Sequence, residues 1–161
     1  MTGRYSIAQA ILLGGLIAGT IDIGAASLIF WRSPFLICQS VASGLFGRAS
    51  FTGGMETTLA GLLLQWGMSL IIAAIYVAAS TWVPVLRRRW VAAGLAYGVG
   101  IFFVMNYVVV PLSAVHRIPH FTARMFAENM LAMLLFGLIV AYFAGNARGA
   151  VQSQKASVPA A

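Results

Sequence analysis

Four long apolar runs constrain this chain more than any other feature of its sequence. They lie at about residues 7–31, 57–83, 90–110 and 129–147, and each is close to or above the roughly 20 residues that an α-helix needs to cross a bilayer. Asp22 is the single charge in the first run, and the second run has none. Because a span must satisfy its own backbone polar groups, the runs predict an all-α integral membrane four-helix bundle.

The composition excludes a water-soluble domain. The chain is 61% hydrophobic and 8% charged, which leaves too few polar side chains to cover a water-facing surface. Residues 1–147 therefore form one predicted transmembrane domain, and the Ala-rich and Ser-rich residues 148–161 are predicted to be a disordered cytoplasmic tail. A cleaved signal peptide is the alternative for the first run, but that run is too long and contains Asp22.

The distribution of Lys and Arg predicts the orientation. Six of the ten basic residues fall on the side that carries both termini, and three of the six are adjacent in the short loop after the second span. Adjacent guanidinium groups are hard to translocate and suit anionic head groups, so we expect both termini to be cytoplasmic. The net charge of +7 does not indicate nucleic-acid binding, because the cations flank spans. The six are Arg4, Arg87, Arg88, Arg89, Arg148 and Lys155, against Arg32, Arg48, Arg117 and Arg124 on the outer side.

The first outer loop predicts a short amphipathic helix at the membrane interface, at about residues 34–47. Ser33 followed by Pro34 is typical of a helix start. Large apolar side chains then fall mostly on one face, until Gly44 and Gly47 loosen the helix. The segment is either an amphipathic connector, which we favour, or a lid or re-entrant element over a site between the spans. The apolar side chains are Phe35, Leu36, Ile37, Val41, Leu45 and Phe46.

Two GxxxG spacings predict close helix contacts. Gly15 and Gly19 lie in the first span, and Gly94 and Gly98 lie at the matching place in the third. Similar strings, F-T-G-G-M and F-T-A-R-M, precede the second and fourth spans. Together these matches indicate two helical hairpins of the same orientation. Chance similarity in a chain rich in Gly and Ala is the equal alternative to duplication.

Polar side chains in three spans form a predicted layer in the outer half of the membrane. Asp22 lies nine residues before Trp31, so the helical rise places it about 13 Å from the outer end of its span. Gln65 and Asn106 fall at comparable depths in the second and third spans. An ionised carboxyl group facing lipid there would cost several kcal/mol, so Asp22 should face the bundle and find donors. The candidate partners are Gln65, Asn106 and Thr20.

Two interpretations of this layer remain open. In one, the side chains bond to one another and only fix the register of the helices. In the other, they line a cavity that opens to the outer face, with a charged rim that would favour small anions or anionic head groups. The rim residues are Arg32, Arg48, Glu56, Arg117, Arg124 and Glu128.

The sequence carries no signature of catalysis or of a resident cofactor. It has no P-loop, HExxH or GxSxG string, and no catalytic residue is predicted. Cys38 is the single cysteine, which excludes an internal disulfide or a CxxC couple. His116 and His120 are four residues apart, but Pro119 between them disfavours a helical register, so they are weak metal candidates. We therefore predict no cofactor and favour a non-catalytic protein.

Three strings are distinctive when taken together: G-T-I-D at residues 19–22, Q-S-V-A-S-G-L-F-G at 39–47 and N-Y-V-V-V-P-L-S at 106–113. With them the chain, over about residues 14–145, resembles a group of small four-span proteins of bacterial inner membranes and, more loosely, the YagU-like family. The resemblance implies four helices and an inner-membrane location, and the group carries no agreed activity. Its pattern has a histidine where this chain has Gln65. An amide neither titrates nor binds metals well, which puts a metal or proton-relay role there in doubt.

We therefore expect a small multi-pass protein of the bacterial inner membrane with both termini in the cytoplasm. The main hypothesis is a role in small-solute or ion transport, in lipid binding or in stress, acting through an outward-facing polar cavity. The alternative is a structural or accessory subunit that docks through its GxxxG faces. The expected partners are the lipid bilayer and, under the alternative, a second copy of the chain or a larger membrane complex.

Overall fold

The computed structural model describes residues 4–116 and 121–147. Arg117, His120 and the predicted tail at 148–161 lie outside this range. Four helices in the described range are long and apolar enough to cross a membrane, so the chain is a multi-pass membrane protein. The predicted all-α four-helix bundle is confirmed. The spans are Ile7–Phe30, Gly54–Trp82, Trp90–Leu112 and Ala123–Gly145.

Shorter elements connect and extend the spans. A 3₁₀ turn, Gly47–Phe51, follows the helix in the first long loop, and a π-helical segment, Met105–Val109, lies inside the third span. The first and last described residues meet at one end of the bundle, where the backbone N–H groups of Arg4 and Tyr5 donate to the carbonyl of Asn146. In chain order the helices are α1 Ile7–Phe30, α2 Pro34–Phe46, α3 Gly54–Trp82, α4 Pro84–Arg88, α5 Trp90–Val104, α6 Val110–Leu112 and α7 Ala123–Gly145.

Side-chain caps set the starts of three helices. Ser6 and Gln9 form a capping box at α1, in which the Ser6 hydroxyl accepts from the Gln9 N–H at 3.1 Å and the Gln9 carboxamide oxygen accepts from the Ser6 N–H at 2.9 Å. Ser33 caps α2 ahead of Pro34. Thr122 caps α7 by accepting from the N–H of Met125. These polar residues satisfy backbone donors that would otherwise have no partner at the helix ends.

The fourth span begins earlier than the hydropathy pattern indicates. It starts at Ala123, six residues before the predicted residue 129, because the Thr122 cap lies ahead of a polar first turn. Arg124 and Glu128 lie within this turn and the next, and their side chains pair at 2.8 Å across one helical turn. The second span likewise begins at Gly54, ahead of the predicted residue 57. Both helices therefore include polar residues that lie before the apolar run begins.

The third span does not end at residue 110, where the apolar run ends, but continues through Pro111. The helix passes through the proline to Leu112 because the preceding segment widens into a π-helix. There the N–H of Val110 bonds to the carbonyl of Met105, five residues back. A π-helical segment changes which carbonyl each N–H reaches, so the backbone can include a residue that lacks a donor.

Glycines bring the long helices into close contact in two pairs. A Cβ at Gly15 would lie 3.0 Å from the Cα of Leu70 in α3. A Cβ at Gly98 would lie 2.8 Å from the Cα of Leu134 in α7. The first hairpin, α1 with α3, and the second, α5 with α7, are therefore held by equivalent GxxxG faces. Gly137 of α7 adds a contact that the sequence analysis missed, because it meets the backbone at Gly98.

The two ends of the bundle differ in character. We name them the α2 end, where α2 lies, and the arginine end, where Arg87, Arg88 and Arg89 follow α3. The half toward the arginine end is filled by small and aromatic side chains. Tyr76 and Tyr97 close it between α3 and α5, with ring centroids 4.9 Å apart. The buried cluster includes Ala10, Ala18, Ala73, Val77, Ile101, Phe136, Val140, Ala141, Ala144 and Ala147.

Helix α2 presents its small side chains to the bundle and its large ones away from it. Cys38, Gln39, Ala42 and Ser43 are buried against the bundle. The apolar face identified in the sequence is largely exposed, and Leu45 is 63% accessible. An exposed row of large apolar groups on a short helix suits a lipid interface.

Candidate functional site

A large cavity lies between α2, α3 and the third span, in the half of the bundle toward the α2 end. Its volume is about 570 Å³, within the range typical of small-molecule sites. Gln65 and Met68 of α3 line one wall, and Met105 and Val109 of the π-helical segment line the opposite wall. The remaining wall comes from α2 and the turn after it. It contains Ser40, Val41, Ser43, Gly44, Gly47, Arg48 and Phe51.

Backbone contacts hold α2 over this cavity. The carbonyl of Gly44 accepts from the N–H of Ala114, just beyond the third span, at 2.8 Å. At the other side, the Gln39 carboxamide donates to the carbonyl of Gly54 at 3.0 Å. A Cβ at Gly61 would overlap the carbonyl oxygen of Cys38, so α2 and α3 touch through their backbones. Helix α2 is therefore more than a connector, because it forms a wall of the cavity and bridges the second and third spans.

The predicted charged rim is only partly assembled. Arg48 is exposed and lines the large cavity, so it is the rim cation with direct access to a bound group. Arg32 and Glu56 are exposed but do not line it. Arg124 pairs with Glu128 on α7 instead, and its side chain is 75% accessible. Arg117 lies outside the described residues.

The polar layer contains one direct pair. The carboxamide nitrogen of Gln65 donates to the carboxylate of Asp22 at 2.8 Å. This pair lines a second cavity of about 160 Å³ at the centre of the four spans. The two cavities share Gln65, Met68, Met105 and Val110, so the Asp22–Gln65 pair lies directly below the large cavity.

The other two predicted members of the layer make different contacts. Thr20 is exposed, donates to the carbonyl of Leu16 and accepts from the indole of Trp66 at 3.1 Å. It does not join Asp22, because side chains two residues apart point to nearly opposite faces of a helix. Asn106 does line the small cavity, but its carboxamide nitrogen donates to the carbonyl of Phe102 in its own helix.

Several lining residues were missed from the sequence. Asn129 of α7 lines the small cavity and gives the fourth span a place in the polar layer. Its position, one turn and a half inside α7, would have indicated this if Thr122 had been recognised as the helix cap. Ser40 and Ser43 line the large cavity. Val41 of the same helix lines this cavity too, and the sequence pattern alone does not tell which face of α2 meets the bundle.

The described part of the site holds few side chains that could ligate a transition metal. Among the described residues there is no group of three or more His, Cys, Asp or Glu side chains that could hold a metal ion. His116 is exposed at the end of the third span, and His120 lies outside the described residues. Burial raises the pKa of the Cys38 thiol, which disfavours the reactive thiolate. Among the described residues, the arrangement is suited to binding through hydrogen bonds and one exposed guanidinium group, that of Arg48.

Comparisons with protein-family models, with curated proteins and with solved structures found no match for this chain.

Proposed function

We propose that this protein binds an amphipathic anion, a lipid or fatty acid, in the large cavity between α2, α3 and the third span. The observation that carries the proposal is the pairing of one exposed guanidinium, Arg48, with a cavity wall of Met68, Met105 and Val109. The anionic group binds at Arg48, and the apolar portion lies along the methionine and valine side chains. Of the roles predicted from the sequence, which were transport, lipid binding and a role in stress, this proposal selects lipid binding.

The chemistry of the cavity favours an amphipathic ligand over a small hydrophilic ion. Met68 and Met105 are flexible and polarizable, so they adapt to chains of different shape. Ser40 supplies a hydroxyl group on the part of the wall formed by α2, whereas the Ser43 hydroxyl already donates to the Ser40 carbonyl at 2.6 Å. A head group would therefore meet donors at the surface and its chain would meet apolar groups below.

The proposed setting is a bacterial inner membrane with the α2 end outward. The arginine end carries Arg4 and the run Arg87 to Arg89, and clusters of this kind stay on the cytoplasmic side. This orientation opens the cavity toward the outer leaflet, from which a lipid could enter.

The accessory-subunit alternative requires GxxxG faces that are free to dock a partner protein. All four GxxxG glycines contact other helices of the same chain, namely α3 for the first pair and α7 for the second. A face that is already covered cannot dock a second protein without opening the bundle.

The test is ligand retention by the full chain in mild detergent, measured by native mass spectrometry with phosphatidylglycerol, phosphatidylcholine and palmitate as probes. We expect the two anionic probes to be retained more strongly than the zwitterionic one. The Arg48→Gln variant should lose at least tenfold in affinity for the anionic probes, because a charge-assisted contact contributes about 1.5–3 kcal/mol.

Arg32→Gln is the matched control, since Arg32 is exposed at the same end but does not line the cavity. It should leave retention unchanged. Ser40→Trp should block the cavity and reduce retention of all three probes. Equal loss in the Arg48 and Arg32 variants would mean that general surface charge attracts the probes, and the proposal would fail.

Orientation has its own assay, in a Cys38→Ala background. A cysteine placed at Arg48 should react with a membrane-impermeant thiol reagent in intact cells, and one placed at Arg88 should react only after the membrane is opened. The reverse pattern would place the cavity on the cytoplasmic side.

A further inference from the structure

The small cavity at the centre of the bundle has a composition that the lipid-binding proposal does not use. Its volume is about 160 Å³, and each of the four spans contributes a side chain that carries an oxygen. Asp22 comes from α1, Gln65 from α3, Asn106 from the third span and Asn129 from α7. An ionisable side chain within a membrane span is a candidate functional group, and such residues mark pathways for ions and substrates.

Two of the three side-chain amides around this cavity, and the Ser69 hydroxyl, already donate within the protein. The carboxamide nitrogen of Gln65 donates to Asp22, and that of Asn106 donates to the Phe102 carbonyl at 2.8 Å. The Ser69 hydroxyl donates to the backbone carbonyl of Gln65 at 2.8 Å. Because a carbonyl or carboxylate oxygen only accepts, these contacts also fix which end of the Gln65 and Asn106 amides carries the nitrogen. The carboxylate of Asp22 and the amide oxygens of Gln65 and Asn106 remain available as acceptors, and Asn129 adds a third amide oxygen.

The charge of Asp22 has no basic partner among residues 4–116 and 121–147, where the single ion pair joins Arg124 to Glu128. One amide hydrogen bond offsets only part of the cost of an ionised carboxylate at this depth. A single positive charge in the cavity would balance it, whereas a divalent ion would leave an excess of one. Both the acceptor oxygens and the charge balance therefore favour a ligand with a single positive charge.

We propose that the small cavity binds a monovalent metal cation, with Na⁺ as the probe ion. Asp22 supplies the charge, and the amide oxygens of Gln65, Asn106 and Asn129 supply the surrounding dipoles. The π-helical segment at Met105–Val109 supports this role, because such segments are frequent at functional sites and this one contains Asn106. The proposal goes beyond lipid binding and does not depend on it.

Trp66 provides a native reporter for the experiment. It is adjacent to Gln65, and its indole donates to Thr20, two residues from Asp22. The full chain with Trp31, Trp82 and Trp90 changed to Phe retains Trp66 alone. The purified protein in detergent is titrated with NaCl against choline chloride at constant ionic strength, and Trp66 fluorescence is recorded. We expect a saturable change with NaCl and none with choline chloride.

Asp22→Asn should abolish the Na⁺ response, and Glu56→Gln is the matched control that should keep it, because Glu56 is exposed and lines neither cavity. Thermal unfolding of each variant checks that it is folded, and Na⁺ should raise the unfolding temperature of the control but not of Asp22→Asn. An Asp22→Asn protein that still responds to NaCl would overturn the proposal. So would a response to acid that NaCl never displaces, which would assign the site to a proton alone.

The two proposals fail separately. Arg48→Gln should lose anionic lipid and keep the Na⁺ response, whereas Asp22→Asn should lose the Na⁺ response and still retain lipid. A protein that retains lipid but ignores Na⁺ contradicts only the cation site.

Discussion

Replacing Gly98 with alanine tests whether the second hairpin depends on close backbone contact. A Cβ at Gly98 would overlap the carbonyl oxygen of Met133 and lie 2.8 Å from the Cα of Leu134. Both are backbone atoms of α7, which a side-chain rotation cannot move away, so α5 and α7 must move apart. Overpacking of this kind costs about 1–3 kcal/mol. Gly100→Ala on the same span is the control, because a Cβ there meets nothing within 4 Å.

The comparison of these two variants isolates the packing cost. Each gains the same helix propensity, about 1 kcal/mol when glycine becomes alanine, so this contribution cancels in the difference. Gly98→Ala should therefore be less stable than Gly100→Ala by about 1–3 kcal/mol. The assay is equilibrium unfolding by SDS in mixed micelles, followed by circular dichroism. Equal free energies of unfolding, within about 0.5 kcal/mol, would refute the close contact between α5 and α7.

Two further predictions concern the cavities. Gln65→Leu should lower the free energy of unfolding by about 1–3 kcal/mol, because Asp22 loses its donor; the same SDS assay should show part of the loss restored when Asp22→Leu is added. Cys38 should react with a maleimide more slowly than a cysteine placed at Ser40 in a Cys38→Ala background. Burial raises the Cys38 thiol pKa, so less thiolate is present at neutral pH and its rate should keep rising with pH after the exposed thiol has levelled off.

Hydropathy and length were sufficient to predict the spans, because lipid imposes a length and an apolar composition that few other structures share. Their ends were less predictable. Thr122 starts α7 through a hydrogen bond, and Arg124 and Glu128 satisfy each other one turn apart, so a polar stretch extends the helix. The third span extends past residue 110 because a π-helical segment upstream of Pro111 lets the helix continue. Both differences in the span ends arise because local hydrogen bonds, which cannot be recognised from an apolar run, decide where these helices begin and end.

The depth of each site residue along its span was predictable from the sequence, but the direction in which its side chain points around the helix axis was not. Asp22 and Gln65 were matched by depth, and the two side chains meet at 2.8 Å. Thr20 has nearly the same depth as Asp22 but points elsewhere, toward Trp66. Sequence gives the axial position of a residue directly, whereas its rotation depends on which helices are neighbours. The same uncertainty hid the role of Ser43, since an amphipathic helix has two faces and the fold decides which one is buried.

The position of the cavities follows from where the small residues lie. Gly15 and Gly19 bring α1 against α3, and Gly94 and Gly98 bring α5 against α7, so each hairpin is closed by its own glycines. Between α3 and α5 there is no such contact. Bulky side chains must fill that gap, and they do so only at the arginine end, where the Tyr97 hydroxyl donates to the Ile72 carbonyl at 2.7 Å.

Toward the α2 end the gap between α3 and the third span stays open, and α2 lies across it. A leucine or phenylalanine side chain in this gap would pack it closely and would stabilise the bundle more than a cavity does. The chain instead places polar side chains at its base and small hydroxyl residues on the helix that covers it. Buried polar groups cost free energy that apolar packing would not. Their grouping in one half of the bundle is the arrangement that the two proposed binding sites require.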